Sequence, residues 1–140
     1  MLVHAAAGGV GLLLVQWLKT SGAAVIGTVS GEGKAALAGE AGEDHIVFYT
    51  REDMAMRVRE LTGGKDVRVV FHGVGMDTWE ASLDSTGRRG LIVSYGNASA
   101  PVTGVSLGIL AAKASLYNTR PILFDYFAEA LERETGEARL

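Results

Sequence analysis

The residues best placed to do chemistry in this chain have almost none in their side chains. Ala6-Ala7-Gly8-Gly9-Val10-Gly11 carries hardly a polar atom, so whatever it binds must meet peptide backbone. Its spacing fits G-x-G-x-x-G with Ala6 in place of the first glycine. In that pattern Gly8 lets the backbone approach a pyrophosphate, and Gly11 lets the following helix pack close on the sheet. Free N–H groups at the helix start, with the positive end of the helix dipole, would hold the phosphate charge. A glycine turn also serves as a plain structural turn. A strand before it, a helix after it and its place at the head of a strand–helix run favour the binding reading. The other phosphate loop, ending G-K-[ST], is absent: Leu12-Leu13 follows Gly11, which argues against a nucleotide triphosphatase.

The next candidates sit at the end of the second strand. A unit that binds NAD usually ends that strand in Asp or Glu, to bond the ribose 2′-hydroxyl. Here Thr28-Val29-Ser30-Gly31 occupies the place, Glu32 comes slightly later, and Lys34 opens the next helix. A missing carboxylate with a cation nearby favours a 2′-phosphate, and hence NADP. Spacing alone reads Lys34 more readily as a solvated helix residue. The missing acid also argues against a SAM-dependent methyltransferase, and no Tyr-x-x-x-Lys pair stands where a short-chain reductase needs one. His4, His45 and His72 each read as strand residues satisfied by hydrogen bonds rather than as catalysts. The sequence offers no general acid or base, so no catalytic residue is assigned.

Elements must position these groups, and the pattern supplies them. Strands are predicted at Met1–His4, Ala24–Val29, His45–Tyr49, Val67–Phe71, Gly90–Tyr95 and Ser115–Thr119. Helices are predicted at 10–20, 34–41, 51–61, 78–83, 107–113 and 122–134. The first helix is apolar nearly all round and reads as buried. Strand and helix alternate throughout with no hairpin turn, which means βαβ units, a parallel sheet and helices on both faces. Unbroken apolar runs such as Ala24–Val29 suit strands covered on both sides. The 140 residues make one domain without linker or repeat.

Composition removes other classes. A net charge of −3 argues against a nucleic-acid partner, which selects a basic face. The absence of cysteine rules out disulfides and thiolate metal sites, and no metal site is expected. No apolar run reaches the roughly 18 residues of a membrane span. The opening residues lack the basic region of a secretory signal, so a cytoplasmic location is the default expectation.

Taken together, "HAAAGGVGLLLVQWLK", "VIGTVSGEGKAALA", "RELTGGKDVRVVF", "DTWEASLDSTGRRGLIVSYGNASAPVTGV" and "LGILAAKASLYNTRP" resemble the cofactor half of bacterial NADPH:quinone oxidoreductases. These are zinc-free, zeta-crystallin-like members of the medium-chain dehydrogenase/reductase superfamily. The likeness runs from about Met1 to about Asp125. It implies a Rossmann-type, doubly wound α/β domain with a six-stranded parallel sheet. It implies NADPH held at Gly8, Gly9 and Val10, with the 2′-phosphate met by Ser30, Lys34 and Tyr49. Gly73-Val74-Gly75 matches the loop lining the ribose, and Tyr95-Gly96-Asn97 the loop beside the nicotinamide. The family dimerises through its last strand, here Ser115–Thr119.

Departures from the family are specific. His72 stands where the family usually has an acid, and Met76 and Ala112 where close relatives often carry longer polar residues. Family members also carry a GroES-like domain ahead of this one, forming a wall of the substrate cleft. Its pattern is not found here, and Met1 falls inside the first strand. The chain is therefore expected to be an excised or truncated cofactor domain that binds NADPH weakly and reduces little quinone alone. The alternative is a non-catalytic nucleotide-binding or dimerisation remnant.

Overall fold

The computed structural model describes residues 1–126. Six strands form one parallel sheet: β1 (Leu2–Val3), β2 (Ile26–Val29), β3 (His45–Phe48), β4 (Val67–His72), β5 (Thr86–Ser94) and β6 (Tyr117–Thr119), in the order β3-β2-β1-β4-β5-β6. The chain winds outward from β1 to β3, then returns to the other side of β1. Leu2 accordingly pairs with both Ile26 and Val70. Right-handed crossovers in opposite directions put helices on opposite faces. α1 (Gly9–Thr20) and α2 (Glu32–Glu40) cover one face, through Val3, Val15, Leu18, Val25, Val29 and Ala38. α3 (Met54–Leu61), α4 (Trp79–Ser85) and α5 (Gly108–Ala112) cover the other, through Leu2, Val58, Val70, Leu83 and Ile92. The predicted doubly wound α/β class and strand number are both found.

Several boundaries and one burial differ from the sequence expectation. α1 is not buried all round: Gly11, Val15 and Leu18 face the sheet, while Val10, Leu13 and Trp17 are 57–68% exposed. A helix in an outer layer meets the sheet along one stripe only, whatever its opposite side is made of. α3 begins at Met54 rather than Arg51, because Asp53 Oδ1 caps the Met56 N–H at 3.0 Å and Glu52 is turned back to accept from the Phe48 N–H. β5 begins at Thr86 rather than Gly90, since Gly87-Arg88-Arg89-Gly90 bulges out while Val67 pairs with Thr86 and Val69 with Leu91. Of the predicted helix 122–134, only Leu123–Tyr126 (α6) lies within the described residues.

One carboxyl group is out of place in this core. Both oxygens of Glu43 are buried with no hydrogen-bond partner among the described residues. They fill the space in which a side chain at Gly27, in β2, would otherwise stand. Burial pushes the Glu43 carboxyl up to about 7.

Candidate functional site

The strand order reverses between β1 and β4, and at such a switch point an open α/β sheet leaves a crevice beyond its strand C-termini. The glycine turn lies there. Gly8 is the residue before α1, in extended conformation, and offers no side chain to cap the helix. Among the described residues, the N–H groups of Gly9, Val10 and Gly11 meet no acceptor. A Cβ at Gly9 would meet nothing within 4 Å, so the space above it is open. A Cβ at Gly11 would collide with the carbonyl of Ala5 and come within 2.8 Å of Ala6 Cα, so only glycine lets α1 approach the turn after β1 this closely. Unpartnered donors, a helix dipole and an open cradle are what a diphosphate requires.

On one side of the turn, Ser30, Lys34 and Tyr49 lie at the tips of β2 and β3. Ser30 follows β2, Lys34 is in the first turn of α2, and Tyr49 follows β3 with its N–H bonded to Val29 O at 3.3 Å. Lys34 and Tyr49 are both exposed. A lysine in a first turn opposes the helix dipole, so α2 gains nothing from it unless an anion sits there. Two charged residues that sequence reasoning did not assign share this rim. Glu32 opens α2, and Arg51 pairs with it while lying over the Phe48 ring.

On the other side, the loops after β4 and β5 touch through glycine. The Tyr95 ring covers Gly73, where a Cβ would stand 2.7 Å from ring atoms; at Gly96 it would stand 2.5 Å from Gly73 O. Ser99 N donates to Val74 O at 2.7 Å, and its hydroxyl donates to the same oxygen. Burial raises the Tyr95 hydroxyl above its usual range. Arg120, also unassigned from sequence, donates to Ser94 O and Gly96 O and reaches the Asn97 amide. Each is a contact between distant segments and leaves no local pattern to read.

Beneath the crevice lie two buried histidines. The Ser82 hydroxyl spends its proton on Thr78 O, so it accepts from His4 Nε2, which leaves His4 Nδ1 to accept from Thr28. His72 Nε2 lies 3.0 Å from Gly75 O and 3.1 Å from Thr78 Oγ1, with Nδ1 toward Ser94. Burial, with a smaller push from His72, brings His4 down to about 3; burial lowers His72 as well. Both rings are therefore neutral at neutral pH and structural, as expected from sequence. His45 differs: it is exposed at the start of β3. Among the described residues no three His, Asp or Glu are grouped to hold a metal ion, and no helix is long and apolar enough to cross a membrane.

Residues 9–133 match the sequence model of the zinc-binding dehydrogenases. The chain belongs to that family. Within this dehydrogenase family it is 60% identical over 125 residues to a quinone oxidoreductase of Salmonella typhimurium, covering 89% of this chain and 38% of that one. A crystal structure of Pseudomonas syringae quinone oxidoreductase superposes with a TM-score of 0.96 at 55% identity, over 99% of this chain and 42% of that one. The Escherichia coli quinone oxidoreductase complexed with NADPH superposes at 0.95 and 53% identity, again over 99% and 42%. The likeness expected from sequence is thus found, and the chain spans about two fifths of the length of these relatives.

Proposed function

We propose that this dehydrogenase chain is the NADPH-binding half of a zinc-free quinone oxidoreductase. The observation that carries the reading is the cradle at the switch point: open space over Gly9, beside N–H groups of Gly9, Val10 and Gly11 that meet no acceptor among the described residues. Those donors suit a diphosphate. Ser30, Lys34 and Tyr49 would hold the 2′-phosphate. Gly73, Val74, Tyr95, Gly96 and Asn97 would line the ribose and nicotinamide end, where the loops after β4 and β5 pack on each other through Gly73, Tyr95 and Gly96. The bound cofactor would supply hydride for reduction of a quinone, and this chain's part is to bind, orient and exclude water. The likeness to an enzyme solved with NADPH supports this choice of nucleotide.

The family's substrate cleft has a wall from a GroES-like domain, so these 140 residues are expected to bind NADPH weakly and reduce little quinone. A cytoplasmic location belongs to the same reading. Calorimetric titration with NADPH and NADH tests it: tighter binding of NADPH is expected, and Lys34→Ala should abolish the difference. Equal affinity for both nucleotides in the wild type, or preference for NADH, would refute the 2′-phosphate assignment.

A second reading concerns association. Among the described residues β6 is an edge strand with Tyr117, Asn118 and Thr119 exposed, and an edge left unpaired invites strand pairing. A homodimer through this edge is proposed, in a catalytic or a non-catalytic protein alike. Light scattering should give twice the monomer mass, and a stable monomer would count against it.

A further inference from the structure

Glu32 stands between Ser30 and Lys34, two of the residues proposed to face the 2′-phosphate. A carboxylate there is an awkward neighbour for a phosphorylated ribose and a good one for a bare 2′-hydroxyl. Its first-turn position suits the dipole of α2, which accounts for its presence but not for its direction. That direction is set by Arg51. Arg51 Nη2 pairs with Glu32 Oε1, and the guanidinium carbon lies 4.0 Å from the centre of the Phe48 ring. The segment bearing Arg51 is tied down. Thr50 Oγ1 donates to Ser30 O at 3.2 Å, the Arg51 and Glu52 N–H groups return to Phe48 O, and Phe48 N–H donates to Glu52. A stacked arginine on a fixed turn thus bridges the tips of β2 and β3. The two side chains are 56% and 76% exposed, and an ion pair so wet adds little to folding.

We infer that Arg51 and Glu32 are specificity-determining residues for the phosphorylated dinucleotide: Arg51 cancels the carboxylate that would otherwise favour a 2′-hydroxyl, and turns spare guanidinium donors toward the phosphate. The inference rests on the reading of the crevice as an NADPH site and deepens it. With Arg51 present, the charges of Glu32, Lys34 and Arg51 leave one net positive charge at the rim; without it they cancel. Guanidinium has five N–H donors, so engagement with one carboxylate leaves others for an anion.

The test is a double-mutant cycle on the chain: wild type, Arg51→Ala, Glu32→Gln and the double variant, each titrated with NADPH and NADH at low and high salt. Arg51→Ala should weaken NADPH about tenfold and leave NADH within about twofold, the scale expected for one exposed charge beside a phosphate. Glu32→Gln alone should tighten NADPH, and added to Arg51→Ala it should recover most of the loss. High salt should shrink every difference. Equal effects on both nucleotides, no effect on NADPH, or a double variant no better than Arg51→Ala would overturn the inference. Should Lys34→Ala abolish NADPH preference while Arg51→Ala preserves it, the NADPH reading stands and the role of Arg51 falls. A wild type that binds neither nucleotide defeats both.

Discussion

Replacing Glu43 by methionine tests how burial and protonation are linked in this core. The Glu43 carboxyl is pushed from its ordinary 4.5 up to about 7 by burial, and both its oxygens lack a hydrogen-bond partner among the described residues. A carboxyl that holds its proton more tightly when folded favours the folded state fully below the unfolded value. That advantage is lost as pH rises from 4.5 to 7, and above 7 the whole loss is felt. At 1.36 kcal/mol per pH unit the unscreened figure is about 3 kcal/mol, and solvent reaching part of the side chain brings it to roughly 2. Methionine has similar length and no charge to desolvate. Urea unfolding followed by tryptophan fluorescence, with buried Trp79 as reporter, should show Glu43→Met more stable by about 2 kcal/mol at pH 8. The advantage should shrink steadily toward pH 4.5. His4 contributes an opposite slope below pH 6.5 in both proteins, so the difference curve isolates Glu43. Parallel stability curves from pH 4.5 to 8 would refute the argument, because they would mean that Glu43 titrates alike in folded and unfolded chains.

Three further outcomes are expected. His4→Phe should destabilise the fold by about 2–4 kcal/mol, since the hydroxyls of Thr28 and Ser82 lose their partner. It should also flatten the loss of stability between pH 6.5 and 3, and an unchanged acid limb in urea titrations would sink that account. Gly11→Ala should cost at least about 2 kcal/mol by clash, whereas Gly9→Ala should leave stability within about 0.5 kcal/mol while weakening NADPH; thermal melts and nucleotide titrations together distinguish the two. Gly27→Ala should unfold far more readily in the wild type than in a Glu43→Ala background, because the new methyl and the carboxyl claim one space; equal effects in the two backgrounds would contradict the packing.

What could be read from sequence was what is local. Ala24–Val29 and Val67–Phe71 announce strands by β-branched runs, and Gly22 and Gly63-Gly64 announce helix ends because each adopts the left-handed backbone that closes a helix. The glycine turn was legible for the same reason, as its chemistry is backbone chemistry at fixed spacing. What stayed hidden depends on partners far along the chain. Nothing near Glu52 says that its carboxylate turns back to Phe48 N–H, which delays α3. Gly87 and Gly90 look like a turn before a strand, yet they flank a bulge within one. The apolar surface of α1 carries no mark of which stripe meets the sheet. Arg51 and Arg120 reach groups 19 and 24–26 residues away, so no periodicity could have pointed to them.

The histidine network also decides how the crevice should breathe. His4 N–H bonds Phe71 O and Tyr95 N–H bonds His72 O, while the two rings bind hydroxyls from β2, β5, α4 and the turn before it. Opening the floor at one strand would strand buried donors in the others, so these amide hydrogens should exchange with deuterium only when the whole domain unfolds. The outer wall at Tyr49–Arg51 is tied to Ser30 and Phe48 but lies at the surface, with no buried network behind it, and should exchange before the floor does. A nucleotide arriving there would meet a floor that opens only with the whole domain and a rim whose turn is held while its side chains stay in water.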